Sequence, residues 1–250
     1  MKIFIVYKSH DPGRSEQRLR EKTDLTLISY GDISKYPLDG YLYFSQGVLK
    51  LQLISVARMG PLFVSFNQLE RRAKDSLFQQ GLIKAVGIGK GKRPSIVDGT
   101  AGLGSDSFLM ASTGSTVSLF ERNSIIYESL SDGLRRYKSK GANALGVLGR
   151  MHLEKRDFLK CDDLKASHEV VYLDPMFPIT KKNSLSKKPM HYLQTILREE
   201  TDEFEMISLA RQIATKRIVV KRGIQSPPLA GQDADITYRG SSSRFDVYLL

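Results

Sequence analysis

IVDGTAGLGSD, residues Ile96–Asp106, is the stretch on which the fold turns. Residues that suit a buried strand end in Asp98, and a glycine turn follows before helix-forming residues begin. Gly102 and Gly104 permit tight backbone geometry and close approach by a ligand. Backbone N–H groups at such a turn can hydrogen-bond an anionic or polar group. The full G-x-G-x-x-G pattern is missing, because Ser107 takes the third glycine position. Alone, the turn suits a structural loop as well as a binding loop.

Working outward, short apolar runs alternate with amphipathic stretches. The runs are SIVD (95–98), TVSLFE (116–121), MHLEK (151–155), EVVYLD (169–174) and KRIVVK (216–221). Between them SDSFLMAST, SIIYESLSDGLRRYKSK and ISLARQIAT have helical apolar spacing. Strands alternating with helices predict an α/β fold with a parallel sheet and ligands at the carboxyl ends of its strands. SRFDVYLL (243–250) reads as a closing strand, antiparallel at the sheet edge. Upstream, residues 67–87 read as a helix with Asn67 as N-cap and Gly87 as stop. Before Asn67 the runs KIFIVY, LTLISY, YLYFSQ, LKLQLI and PLFVSF are separated by turn signals. The expected division is a small β-rich N-terminal region, 1–66, and a larger domain, 67–250.

Acids mark the ends of the expected strands. Glu121 lies 23 positions after Asp98, near the roughly 20-residue spacing of an acid that binds ribose hydroxyls. Asp98, Glu121, Asp157 and Asp174 form a series at or just after successive strands. Four acids at one sheet edge repel unless a ligand or basic neighbours offset them. S-adenosylmethionine, with a sulfonium, an ammonium and no phosphate, suits such an edge. A pyrophosphate calls for a turn richer in glycine and free of acids, so an NAD-dependent oxidoreductase is the weaker alternative.

Composition narrows the class. The 250 residues carry 38 Lys and Arg against 27 Asp and Glu, a net charge of +11, which points to a polyanionic partner such as nucleic acid. One cysteine, Cys161, excludes an internal disulfide and suits a reducing cytoplasm. With only His10, His152, His168 and His191 beside it, a Cys/His zinc site is not expected. The N-terminus has five apolar residues between Lys2 and Lys8, too few for a secretory h-region, and no run approaches a membrane span.

VVYLDPMFP, Val170–Pro178, carries the chemistry. A strand runs directly into Asp174, Pro175 and Phe177, which resembles the Asp/Asn-Pro-Pro-aromatic motif of methyltransferases acting on amino groups of bases or glutamine. An exocyclic base amine is a poor nucleophile, since its lone pair is delocalised into the ring. Hydrogen bonds from that amine to Asp174 and to a carbonyl near Pro175 would orient the nitrogen and favour developing positive charge. Pro175 stiffens the turn, and Phe177 offers a face for a base lifted from its stack.

Together with SLSKKPM and ATKRIVVKR, these stretches closely resemble a family of bacterial 16S rRNA guanine-N2 methyltransferases, ribosomal small-subunit methyltransferase J. The resemblance runs from about Lys84 to Tyr248 in one order. It implies a class I S-adenosylmethionine-dependent fold, Rossmann-like, with a mostly parallel seven-stranded sheet. It also implies methylation of a guanine N2 in small-subunit rRNA. Cofactor contacts carry over to Ser105 and Asp106, to Glu121 and Arg122, to Asp157 and Phe158, and to Asp174. The chain departs from the family where Gly99 stands for the usual Ala and Ser105 for the usual Arg.

Basic residues gather in four places: RRAK with KGKR (71–74, 90–93), RRYKSK (135–140), TKKNSLSKK (180–188) and TKRIVVKR (215–222). RRYKSK sits late in a helix, where cations suit the dipole and solvent. Lys181, Lys182, Lys187 and Lys188 follow the catalytic loop and are candidate phosphate contacts, as are Lys221 and Arg222. The N-terminal region is expected to help clasp RNA. Two other readings stay open: a methyltransferase of another exocyclic amine, and a non-catalytic RNA-binding protein that kept the fold.

Overall fold

The structure, a computed structural model, describes residues 1–74, 77–139, 141, 146–175, 188–197 and 203–250. In chain order the strands are β1 (Ile3–Tyr7), β2 (Leu27–Ser29), β3 (Gly40–Ser45), β4 (Val48–Leu53), β5 (Ile96–Asp98), β6 (Val117–Phe120), β7 (Met151–Glu154), β8 (His168–Leu173), β9 (Ala214–Gly223), β10 (Ile236–Arg239) and β11 (Ser243–Leu249). The helices are α1 (Arg14–Thr23), α2 (Asn67–Lys74), α3 (Gly81–Ala85), α4 (Ser105–Ser112), α5 (Ser124–Ser139), α6 (Lys188–Ile196) and α7 (Glu203–Ile213). The chain divides into two units. The first holds Met1–Ser65, Asn123–Arg136 and the described part of 176–199. The second holds Phe66–Arg122, Tyr137–Pro175 and the described part of 200–250.

The first unit is built on a four-stranded sheet in the order β2-β1-β3-β4. β1 pairs in parallel with β2 and β3, and β3 pairs antiparallel with β4. That hairpin turns on Gln46 and Gly47, both at positive φ (53° and 72°), the twist a two-residue hairpin loop requires. Ile5, Leu42, Leu51 and Leu53 alternate onto one face and are at most 1% exposed. Two features differ from the sequence reading. Helix α1 has only Leu19 and Thr23 buried, so it carries no apolar stripe to announce it. PLFVSF forms no named strand; Leu62 makes a single bridge to Leu51.

The second unit holds a seven-stranded sheet in the order β10-β11-β9-β8-β5-β6-β7. Strands β5 to β9 are mutually parallel, so their carboxyl ends share one edge. β11 is antiparallel to β9, as expected, but it is an inner strand, with β10 outside it. The residues of β10 are mostly exposed, and such a strand has no apolar signal to read. The helix expected over 67–87 is broken into α2, a 3-10 turn at Leu77–Gln79, and α3; Gly87, at φ 77°, follows its end. One side of the sheet packs Val171, Leu173, Ile218 and Val220 against Ile207, Ala210 and Ile213 of α7 and against Phe158 and Cys161. Elsewhere in the unit Phe66 stacks on Phe108 at 4.9 Å, with Tyr137 edge-on to both.

Candidate active site

Five parallel strands deliver their carboxyl ends to one edge, and the glycine turn after β5 is fastened there. Asp98 is 2% exposed. Its Oδ1 accepts the Thr100 N–H at 3.1 Å, and its Oδ2 accepts the Ser107 hydroxyl. Ser107, at the third glycine position, thus joins α4 to the end of β5. Gly102 and Gly104 take φ of 52° and 73°, the left-handed region that glycine tolerates. The Gly102 N–H donates to Glu121 Oε2 at 3.0 Å, and the Ala101 N–H to the Phe120 carbonyl at 3.1 Å. Burial pushes the Asp98 carboxyl up to about 7, against the hydrogen bonds from Ser107 and Thr100.

The Asp174 end of β8 is tied to the same turn. The Asp174 N–H donates to Thr100 Oγ1 at 2.6 Å. Leu173 is in register with Val220, which brings Asp174 beside Lys221 of β9. Lys221 Nζ lies 2.9 Å from Asp174 Oδ2 and 2.8 Å from Asp106 Oδ2. The Tyr172 hydroxyl donates to that same Asp106 oxygen at 2.6 Å. All three charged side chains are about a quarter exposed, at 29%, 23% and 24% for Asp174, Asp106 and Lys221. Burial raises the Asp174 carboxyl above the ordinary carboxylate range, and the Lys221 ammonium opposes that rise. Burial alone would lower Lys221, but Asp174 and Asp106 reverse the sign and hold it firmly charged.

The β6–β7 corner completes the edge. Glu121 is 6% exposed, and its N–H donates to the Glu154 carbonyl at 3.2 Å. Arg122 Nη1 lies 3.4 Å from Asp157 Oδ2. Asp157 Oδ1 accepts the Leu159 N–H at 3.1 Å and so caps the short 3-10 turn Phe158–Lys160. Phe158, 3% exposed, lies against Gly99: a Cβ added there would fall 2.7 Å from its ring.

This donor set fits S-adenosylmethionine. Buried and half-buried carboxylates suit its cationic groups, a glycine turn allows close approach, and Glu121, just after the second parallel strand, ties that turn in place through the Gly102 N–H. Comparison with known proteins agrees. A family profile described as "Putative SAM-dependent methyltransferase" matches residues 34–250. Ribosomal RNA small subunit methyltransferase J of Thioalkalivibrio sulfidiphilus is 37% identical, over 99% of this chain and 98% of that one. The protein of the same name from Coxiella burnetii (strain Dugway 5J108-111) is 35% identical over 99% and 97%. The chain belongs to the ribosomal RNA small subunit methyltransferase J family. A crystal structure of a SAM-dependent methyltransferase from Neisseria gonorrhoeae superposes with a TM-score of 0.74 at 28% identity, covering 99% of this chain and 96% of that one. The fold is therefore the class I, Rossmann-like methyltransferase fold, and S-adenosylmethionine is the cofactor.

Among the methyltransferase's expected site residues, Asp98, Gly102, Gly104, Ser105, Asp106, Glu121, Arg122, Asp157, Phe158 and Asp174 all lie in the second unit. Asp98 differs from the expectation in one respect: both its oxygens serve the loop itself. Pro175 follows Asp174 directly, whereas Phe177, Lys181, Lys182 and Lys187 lie outside the described residues, as does the side chain of Lys188. Arg222 does not fit a phosphate contact. It is 2% exposed, pairs with Glu203 at 2.9 Å and donates to the Pro227 carbonyl. Lys221 is likewise held inward by two carboxylates. In RRYKSK, Arg135 and Arg136 both pair with Asp132. Thr100, Tyr172 and Ser107 are the contributors that sequence reading missed. Tyr172 had a signal, since period two in a strand puts it on the face of Asp174. Among the described residues no group of three His, Cys, Asp or Glu could hold a metal, and no helix is long and apolar enough to cross a membrane.

Proposed function

We propose that this methyltransferase modifies the exocyclic N2 amine of a guanine in 16S rRNA of the small ribosomal subunit, in the cytoplasm. The observation that carries the reading is Asp174. It follows β8 directly, ahead of Pro175, with its backbone fixed by Thr100 and its carboxylate held by Lys221. When bound, S-adenosylmethionine supplies an electrophilic methyl on its sulfonium. Asp174 accepts a hydrogen bond from the target amine, orients the nitrogen for in-line attack, and favours the positive charge that develops there. The Lys221 ammonium favours the ionised form of that carboxylate against the effect of burial. Asp174 need not be a strong base, because the proton leaves after the nitrogen has become cationic. Phe177 carries the flipped base, and Lys181, Lys182, Lys187 and Lys188 hold phosphates around it. Residues 67–250 act as the catalytic domain, with residues 1–66 as an RNA-facing region.

The test is tritiated methyl transfer from S-adenosylmethionine to small subunits from cells lacking this gene, followed by nucleoside analysis. Labelled N2-methylguanosine is the expected product. Label on a different nucleoside would move the assignment to another exocyclic amine. No label on subunits or on free RNA, with cofactor binding intact, would overturn the catalytic reading and leave a binding protein.

A further inference from the structure

The four-stranded sheet of the first unit has a second face that the cofactor site does not use. Ile5, Leu42 and Leu51 alternate to the buried side, so Phe4, Tyr41, Tyr43 and Lys50 alternate to the other. Strand register sets these side by side: Phe4 pairs with Tyr41, and Tyr43 with Lys50. The Tyr41 and Tyr43 rings are 5.6 Å apart, and Phe4 meets Tyr36 at 5.4 Å. Lys8 Nζ stands 5.1 Å from the Tyr30 ring and 5.6 Å from the Tyr43 ring. Tyr30 and Tyr36 are 53% and 42% exposed, and Phe4, Tyr41, Tyr43 and Lys50 are half-buried. Aromatic rings and ammonium groups therefore interleave on one surface.

We propose that this face is a stacking platform for single-stranded RNA. The proposal rests on the reading of the chain as an RNA methyltransferase and names a second surface for the same substrate. Flat rings at a sheet surface offer bases sequence-tolerant stacking, and the lysines between them meet phosphates. Charge favours this occupant over an acidic or apolar protein. Residues 1–65, which carry the sheet, count nine Lys and Arg against six Asp and Glu, a net +3. No acidic residue lies among the strand positions of the face, and Asp32 beside it is paired with Lys35 at 2.7 Å.

The chain has no tryptophan, so Tyr43→Trp gives a single tryptophan on the platform, excited at a wavelength the tyrosines do not absorb. Its fluorescence should be quenched on titration with a single-stranded RNA oligonucleotide and left unchanged by S-adenosylmethionine. In anisotropy titrations with the full chain, Tyr41→Leu with Tyr43→Leu should weaken RNA binding about tenfold with an unaltered salt slope. Lys8→Gln with Lys50→Gln should instead flatten the slope of log affinity on log salt by about 1.4, two contacts at about 0.7 each. Cofactor affinity should be unchanged in every variant. RNA affinity unaltered in both double variants, or an unquenched Tyr43→Trp, overturns the platform while wild-type methyl transfer upholds the reading beneath it. Wild-type protein that methylates no RNA overturns that reading instead. Normal affinity for naked RNA with lost binding to assembled subunits would give the face to a ribosomal protein, which also overturns the proposal.

Discussion

Asp174 and Lys221 form an ion pair, the proposed centre of transfer, and they can be tested separately. Asp174→Ala should abolish methyl transfer while leaving cofactor affinity within about tenfold, roughly 1.4 kcal/mol. The fold should tolerate the change, because Asp106 still holds Lys221 at 2.8 Å. Turnover and calorimetric cofactor titration of the variant check this, and normal turnover would remove Asp174 from the mechanism. Lys221→Met tests the other half. Burial, Asp106 and the lost cation then all act to keep Asp174 protonated. A carboxylate that must be ionised gives activity that rises with pH, so the rising limb should move to higher pH. Lys221→Arg should keep the limb near its wild-type position, and an unmoved limb in the Met variant would make Lys221 merely structural. The acids at strand ends were legible in the sequence because each follows a recognisable apolar run. The partnership of Asp174 with Lys221 was not, since it depends on the register of Leu173 with Val220, and neither run alone specifies a register.

At the scale of elements, the close packing of β5, β8 and the 3-10 turn at Phe158 explains an unusual glycine. A Cβ at Gly99 would lie 2.7 Å from Phe158 Cδ2 and 2.8 Å from Leu173 Cδ2. The leucine tip can swing away, but the phenylalanine ring is 3% exposed and enclosed by core side chains. Gly99→Ala should therefore destabilise the protein by about 1–3 kcal/mol, a fall in Tm of several degrees at about 2–4 °C per kcal/mol for a chain of this size. Adding Phe158→Leu should recover part of the loss, since room at the ring is what the methyl lacks. Scanning calorimetry of the single and double variants reads this directly, and additive losses would refute the steric account. Elements with an apolar period, such as β5, β6, β8, α4 and α5, were legible in advance. α1 and β10 were not: α1 buries only Leu19 and Thr23, and β10 is mostly exposed. PLFVSF erred the other way, because β propensity without a long pairing partner gives only the Leu51–Leu62 bridge.

For the molecule as a whole, the site influences how global stability responds to pH. Most carboxylates in a fold gain ionisation on folding, so their contribution is lost in acid. Asp98 has the opposite sign. Burial sets its folded pKa near 7, against an ordinary value of 3.8, and Asp106 and Asp174 nearby add to the rise. A raised folded pKa means that the folded state holds its proton more tightly than the unfolded chain. The stability from Asp98 is then full below about pH 4, falls between about pH 4 and pH 7, and stays lost above. At about 1.4 kcal/mol per unit, the ceiling on that loss is about 4 kcal/mol. Asp98→Asn removes the titration while keeping an oxygen for the Thr100 N–H and an amide that can donate to Ser107. The difference in Tm between wild type and Asp98→Asn should thus shift in favour of the variant across pH 4–7 and level off beyond it. A difference that stays constant over that window would show that Asp98 folds as an ordinary ionised carboxylate.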